Sequence, residues 1–132
     1  MSIKALIFDL DGTLISSKLD LADSVNRMRQ HYQVTELPIE TIGSFIGDGA
    51  KKLAERAIAD QPQIDLDEAL EVMLNFYGER PYAKTTIYPG VHEVLNYAQE
   101  NKIPCAILTN KPQSKTDVIA EGLKLAPFFD HI

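Results

Sequence analysis

The sequence predicts an α/β fold, in which a partial parallel-sheet core is interrupted by a long helical insertion. Two observations carry that prediction. Short apolar runs at residues 3–7 and 103–108 each end in a cluster of polar residues, as strands do when their carboxyl ends line a ligand crevice. The stretch between them repeats its apolar residues at helical spacing, with no strand-like alternation.

The first run, Ile3-Lys4-Ala5-Leu6-Ile7, reads as a buried strand and leads directly into Phe8-Asp9-Leu10-Asp11-Gly12-Thr13-Leu14. On an extended chain, side chains two apart share a side. Asp9 and Asp11 are therefore expected to face one small volume, while Leu10 turns toward apolar packing. Paired negative charge in such a place needs a divalent cation, a proton or a shared reaction to compensate it. Gly12 permits a sharp backbone departure and close ligand approach, and the Thr13 hydroxyl is expected to tie the turn. Two carboxylates and a freed carbonyl suit Mg²⁺, a hard cation that prefers oxygen ligands and retains waters. An isolated Asp-Gly would be an ordinary turn; the apolar lead-in and the first aspartate set this one apart.

Residues 15–86 read as the helical insertion, which leaves 1–14 and 87–132 as the α/β core. Ala22, Val25, Met28 and Tyr32 share a face of the first helix, and Pro38 opens a second containing Ile39, Ile42 and Phe45. Gly47-Asp48-Gly49 breaks the pattern. Leu53, Ala54, Ala57 and Ile58 mark a third helix, and Asp65 with Glu68 caps a fourth carrying Ala69, Met73, Phe76 and Tyr77.

Tyr88-Pro89-Gly90-Val91 marks the return to the core. A helix follows with Val91, Val94, Leu95 and Ala98 inward and His92 at the surface. The second strand, residues 103–108, holds Cys105 as a small buried apolar residue and ends at Thr109-Asn110-Lys111-Pro112. If it pairs in parallel with the first, both polar clusters face the same site. Lys111 has two readings, a solvated loop lysine by default or a cation balancing a bound anion. Ser114 is expected to cap a last helix, with Asp117 three residues on.

The segment around Asp9 resembles the first motif of the haloacid dehalogenase (HAD) superfamily, most closely its phosphatases of the phosphoglycolate phosphatase type. The resemblance implies a Rossmann-like, HAD-like core with an α-helical cap formed by the insertion. It implies Asp9 as the nucleophile that forms an aspartyl-phosphate and Asp11 as the general acid and base, with both holding Mg²⁺. Thr109 matches the family's second motif as a hydrogen-bond donor to phosphate. Asn110 adds a backbone amide, and Gly12 and Thr13 complete the implied phosphate site; Lys111 joins it on charge complementarity alone, since the family's phosphate-binding lysine comes from a later segment. Gly47-Asp48-Gly49 resembles the family's cap loop, which commonly has Asn where this chain has Asp48. A negative charge there opposes an anionic substrate such as phosphoglycolate unless a cationic group meets it.

The implied function is Mg²⁺-dependent hydrolysis of a small phosphorylated metabolite. A pyrophosphatase or phosphosugar mutase of the same superfamily, and a noncatalytic phosphate- or metal-binding module, stay open beside it. The composition, 45% hydrophobic and 24% charged with a single cysteine, predicts a cytoplasmic domain without a disulfide framework, signal peptide or membrane span. A formal charge of -6 gives no long-range attraction for nucleic acid. The family's later phosphate-binding lysine and acidic metal motif match no residue here, so the reading expects a truncated chain. Its uncovered sheet edge would then favour self-association, partner capture or incomplete folding.

Overall fold

The computed structural model describes residues 2–132. The chain divides into two units, Met1–Ser16 with Thr86–Ile132, and Ser17–Thr85.

The first unit is built on a parallel strand pair. β1 (Leu6–Phe8) pairs with a strand far along the chain, Cys105–Ile107, with Leu6 opposite Cys105 and Phe8 opposite Ile107. Between them in sequence lie β2 (Ile15–Ser16) and β3 (Thr86–Ile87), an antiparallel pair, so the Cys105–Ile107 strand is β4. The other side of β4 is taken by the last residues. Ala106 bridges to His131, the Ile107 N–H donates to the His131 carbonyl at 3.0 Å, and the Asp130 carboxylate accepts from the Cys105 N–H at 3.0 Å.

β1 is not the buried strand that its apolar run predicts. Ile7 is 69% exposed and Ile3 62%, because alternate side chains leave opposite faces of a strand and the face bearing Ile7 is uncovered. β4 keeps Cys105 and Ile107 on its buried side, and burial pushes the Cys105 thiol up from its ordinary pKa, helped by the nearby Asp130 charge. β2 and β3 occupy positions read as the ends of a helical stretch. Two-residue strands are too short for a period of two to register.

Two helices complete this unit's core. The helix Val91–Glu100 buries Leu95 and Ala98, and the helix Gln113–Gly122 buries Thr116, Ile119 and Ala120. Val94, expected inward, is 45% exposed; one residue is about 100° of helical rotation, enough to carry it off the stripe that Leu95 occupies. The last helix begins one residue before Ser114, with Pro112 in the cap position and no side-chain cap. The Pro112 carbonyl accepts from the Lys115 and Thr116 N–H groups and from the Thr116 hydroxyl, while Asp117 accepts from Gln113.

The second unit holds α1 (Lys18–His31), α2 (Ile39–Gly43), α3 (Ala50–Ala57) and α4 (Leu66–Glu79), which makes the two core helices α5 and α6. α1 buries Ala22, Val25 and Met28, and α4 buries Ala69, Met73 and Tyr77 at i, i+4 and i+8. Leu53, Ala54 and Ala57 are the buried face of α3. α4 begins as its sequence predicts, with the Asp65 carboxylate accepting from the Glu68 N–H at 2.9 Å. α2 is shorter than expected; it ends at Gly43, leaving Phe45 in the turn beyond, and only Ile42 is fully buried.

Two buried charges pin this unit, and periodicity reveals neither. Asp20 accepts from the Lys84 N–H and, at 2.6 Å, from the Thr85 hydroxyl, tying the first turn of α1 to the segment that leaves the unit. Arg29, 1% exposed, donates to the carbonyls of Thr35 and Ala57 and to both carboxylate oxygens of Asp60. Among the described residues no helix is long and apolar enough to cross a membrane.

Candidate functional site

Parallel pairing delivers two polar turns to one edge of the β1–β4 sheet. The Leu108 N–H donates to the Phe8 carbonyl at 2.8 Å, so Asp9 and Thr109 each follow directly from a hydrogen-bonded pair.

The acidic turn is built around Leu10, which is fully buried. Its carbonyl accepts from the N–H groups of Thr13, Leu14 and Ile15, and the Gly12 N–H closes onto the Ile15 carbonyl at 2.8 Å. Gly12 has φ +81°, in the left-handed region where a residue with a Cβ is strained. Two details differ from the sequence expectation. β1 ends at Phe8, so the spacing of Asp9 and Asp11 is set by this turn rather than by strand pleating. It is the Thr13 backbone N–H that joins the turn's hydrogen bonds, where the hydroxyl was expected. Asp9 folds back on its own turn, its Oδ1 accepting from the Leu10 N–H at 2.7 Å.

The second turn is organised by Thr109, whose Oγ1 accepts from the Lys111 N–H at 3.2 Å. Asn110 is exposed. Lys111 is not the solvated lysine of the default reading. Its side chain is 5% exposed, and its Nζ lies 3.2 Å from Oδ2 of Asp11, itself 14% exposed. Burial lowers the Lys111 ammonium below its ordinary pKa, and the charge and hydrogen bond of Asp11 oppose that shift. The pair links the two turns.

Asp9, Asp11, Gly12, Thr13, Thr109, Asn110 and Lys111 thus belong to two adjoining turns of one unit. Gly47, Asp48 and Gly49 belong to the other. There, Gly47 and Gly49 have φ of +129° and +91°, and Asp48 pairs with Arg56 at 2.7 Å while Arg56 also donates to the Phe45 carbonyl. Arg56 was not singled out from the sequence. The available signal was a cation eight residues beyond Asp48 on a predicted helix.

Among the described residues no group of three or more His, Cys, Asp or Glu side chains is placed to hold a metal ion. Mg²⁺ does not require one, being commonly bound by one or two carboxylates with waters and a substrate phosphate supplying the rest. The hard oxygen donors of Asp9 and Asp11 fit that chemistry, and Lys111 already meets Asp11 with positive charge.

Comparison with known proteins agrees with this architecture. The family model for haloacid dehalogenase-like hydrolases matches residues 6–132. Phosphoglycolate phosphatases of Chromobacterium violaceum and Nitrosospira multiformis are 38% and 36% identical to the chain, each over 98% of its length. The chain spans 61% and 60% of those relatives. A crystal structure described as a predicted phosphoglycolate phosphatase from Haemophilus somnus superposes with a TM-score of 0.90 at 27% identity, covering 98% of this chain and 61% of that one.

Proposed function

This chain belongs to the haloacid dehalogenase-like hydrolase family, and on that premise we propose that it carries the nucleophile of a cytoplasmic, Mg²⁺-dependent phosphomonoesterase. The parallel register of β1 and β4 supports this reading most directly, since it sets the acidic turn and the Thr109 turn side by side.

In this account Asp9 attacks phosphorus and becomes an aspartyl-phosphate, which divides the hydrolysis into two substitutions. Asp11 protonates the leaving alcohol and then takes a proton from the attacking water. Thr109 donates its hydroxyl to a phosphate oxygen, and Gly12, Thr13 and Asn110 border the same group from the two turns. Mg²⁺ held by the Asp9 carboxylate and the Asp11 backbone carbonyl would offset the charge that gathers on the transferring group, and the Asp11 carboxyl would stay free for proton transfer. Residues 15–86 take the role of the cap, with Gly47-Asp48-Gly49 as its substrate loop.

The substrate class is a small phosphorylated metabolite, and phosphoglycolate is the first candidate because the similar curated proteins bear its name. The objection raised by Asp48 weakens, because Arg56 meets that charge within the loop's own unit. Phosphate release from a panel of small esters led by phosphoglycolate, with Mg²⁺ and with a chelator, tests the proposal. Metal-dependent release that Asp9→Asn reduces about a thousandfold or more is the expected result, by analogy with loss of a covalent nucleophile. Tight ester binding without release under any condition would make the chain a binding module instead.

A further inference from the structure

Lys111 meets the residue assigned to proton transfer at one defined oxygen. Its buried ammonium lies 3.2 Å from Asp11 Oδ2 and hydrogen-bonds to that carboxyl. It reaches across from the neighbouring turn, where its backbone N–H donates to Thr109 Oγ1 at 3.2 Å and the Leu108 N–H joins the two strands at the Phe8 carbonyl. An ammonium has three donors and no acceptor. The oxygen facing it must therefore accept, and in a protonated carboxyl the better acceptor is the carbonyl oxygen, since an O–H turned toward the ammonium would set two donors against each other. The two oxygens of Asp11 are thus not equivalent.

We infer that Lys111 is a positioning residue that reserves Oδ2 of Asp11 as an acceptor and so assigns proton transfer to Oδ1. The inference rests on the proton-transfer role given to Asp11 above, and it adds which oxygen performs it. In the first step the Asp9 carboxylate bonds to phosphorus, the bond from phosphorus to the ester oxygen breaks with its electron pair on that oxygen, and the oxygen takes the proton from Oδ1. In the second, the attacking water gives a proton back to Oδ1 as the bond between phosphorus and Asp9 breaks.

The test compares two esters by kcat/KM, which covers the steps through departure of the leaving group. Phosphoglycolate releases an alcohol that needs a proton, whereas p-nitrophenyl phosphate releases a phenolate that leaves without one. Lys111→Met should lower kcat/KM about tenfold more for phosphoglycolate than for p-nitrophenyl phosphate, part of the roughly 10²–10⁴ that a general acid supplies. Lys111→Arg, also a donor without an acceptor, should keep the wild-type ratio. In an Asp11→Asn background, Lys111→Met should cost about twofold at most on phosphoglycolate, because the two residues act as one unit. Equal losses on both esters, or an undiminished loss in the Asp11→Asn background, would make Lys111 a phosphate contact or a structural support and overturn the inference alone. Should Lys111→Met fail to fold, Lys111→Gln, which adds an acceptor, replaces it with the same expected direction. A wild-type chain that turns over neither ester, or an Asp11→Asn variant with equal losses on the two, would overturn the proton-transfer reading and this inference together.

Discussion

Each unit buries a cation against a carboxylate, and the two pairs are built differently. In the helical unit Arg29 uses its planar fork on four acceptor oxygens, two carbonyls and both oxygens of Asp60, so that the end of α1, the following loop and the end of α3 are tied together. In the α/β unit the Lys111 ammonium meets Asp11 Oδ2 at 3.2 Å, where the turns after β1 and β4 adjoin. A guanidinium saturated by several partners is a structural fastening, whereas a point charge on a flexible stem is one that chemistry can move. The contrast sets a charge that ties three segments of a fold together beside one that joins two turns of the proposed site.

The largest effect expected from this comparison is on Arg29. Arg29→Met strands the Thr35 and Ala57 carbonyls and leaves the half-exposed Asp60 without its partner, and it should cost about 2–4 kcal/mol, mostly from the two unsatisfied carbonyls. Urea denaturation gives the total, and amide exchange should show the loss in Ser17–Thr85. An equal loss of protection around β1 and β4 would break the distinction. Asp65→Ala removes the carboxylate that accepts from the Glu68 N–H and should cost about 1 kcal/mol, as typical N-caps do. Removing both charges of the other pair, with Asp11→Asn and Lys111→Met together, should change stability by no more than about 1 kcal/mol, since a buried pair is often neutral when replaced whole. A severe loss in that double variant would make Lys111 a fastening like Arg29.

A smaller effect sharpens the comparison through pH. Hydrogen bonding from Arg29 lowers the Asp60 carboxyl from 3.8 to about 2, against the opposing effect of desolvation. A depressed folded-state pKa stabilises the fold above the unfolded value, and that contribution is lost as pH falls from about 4 toward 2. The Asp60 side chain is half exposed, so solvent screening keeps the term modest. Acid titration of thermal stability should show the loss in the wild-type chain, and Asp60→Asn should flatten that part of the curve.

Much of the fold could be read from residue order. The two strands, their polar carboxyl ends, the helical insertion and the Asp65 cap follow from patterns long enough to register. What escaped detection was short or set by tertiary contacts. β2 and β3 are two residues each, and α2 is five. The exposure of Ile7 and Val94 depends on what packs above them, which composition does not reveal. The same holds at the site: Asp9, Asp11 and Thr109 announce themselves by motif, while the burial of Lys111 and the Asp48–Arg56 pair arise only when distant turns meet.

The most direct test of the central claim is chemical trapping of the phosphorylated enzyme. The chain is incubated with phosphoglycolate and Mg²⁺, quenched with borohydride to reduce any acyl-phosphate, and mapped by tandem mass spectrometry. The account predicts a reduced side chain at Asp9 alone, absent with a chelator and in Asp9→Asn. Metal-dependent phosphate release with an unmodified Asp9, or with the mark on another carboxylate, would contradict it.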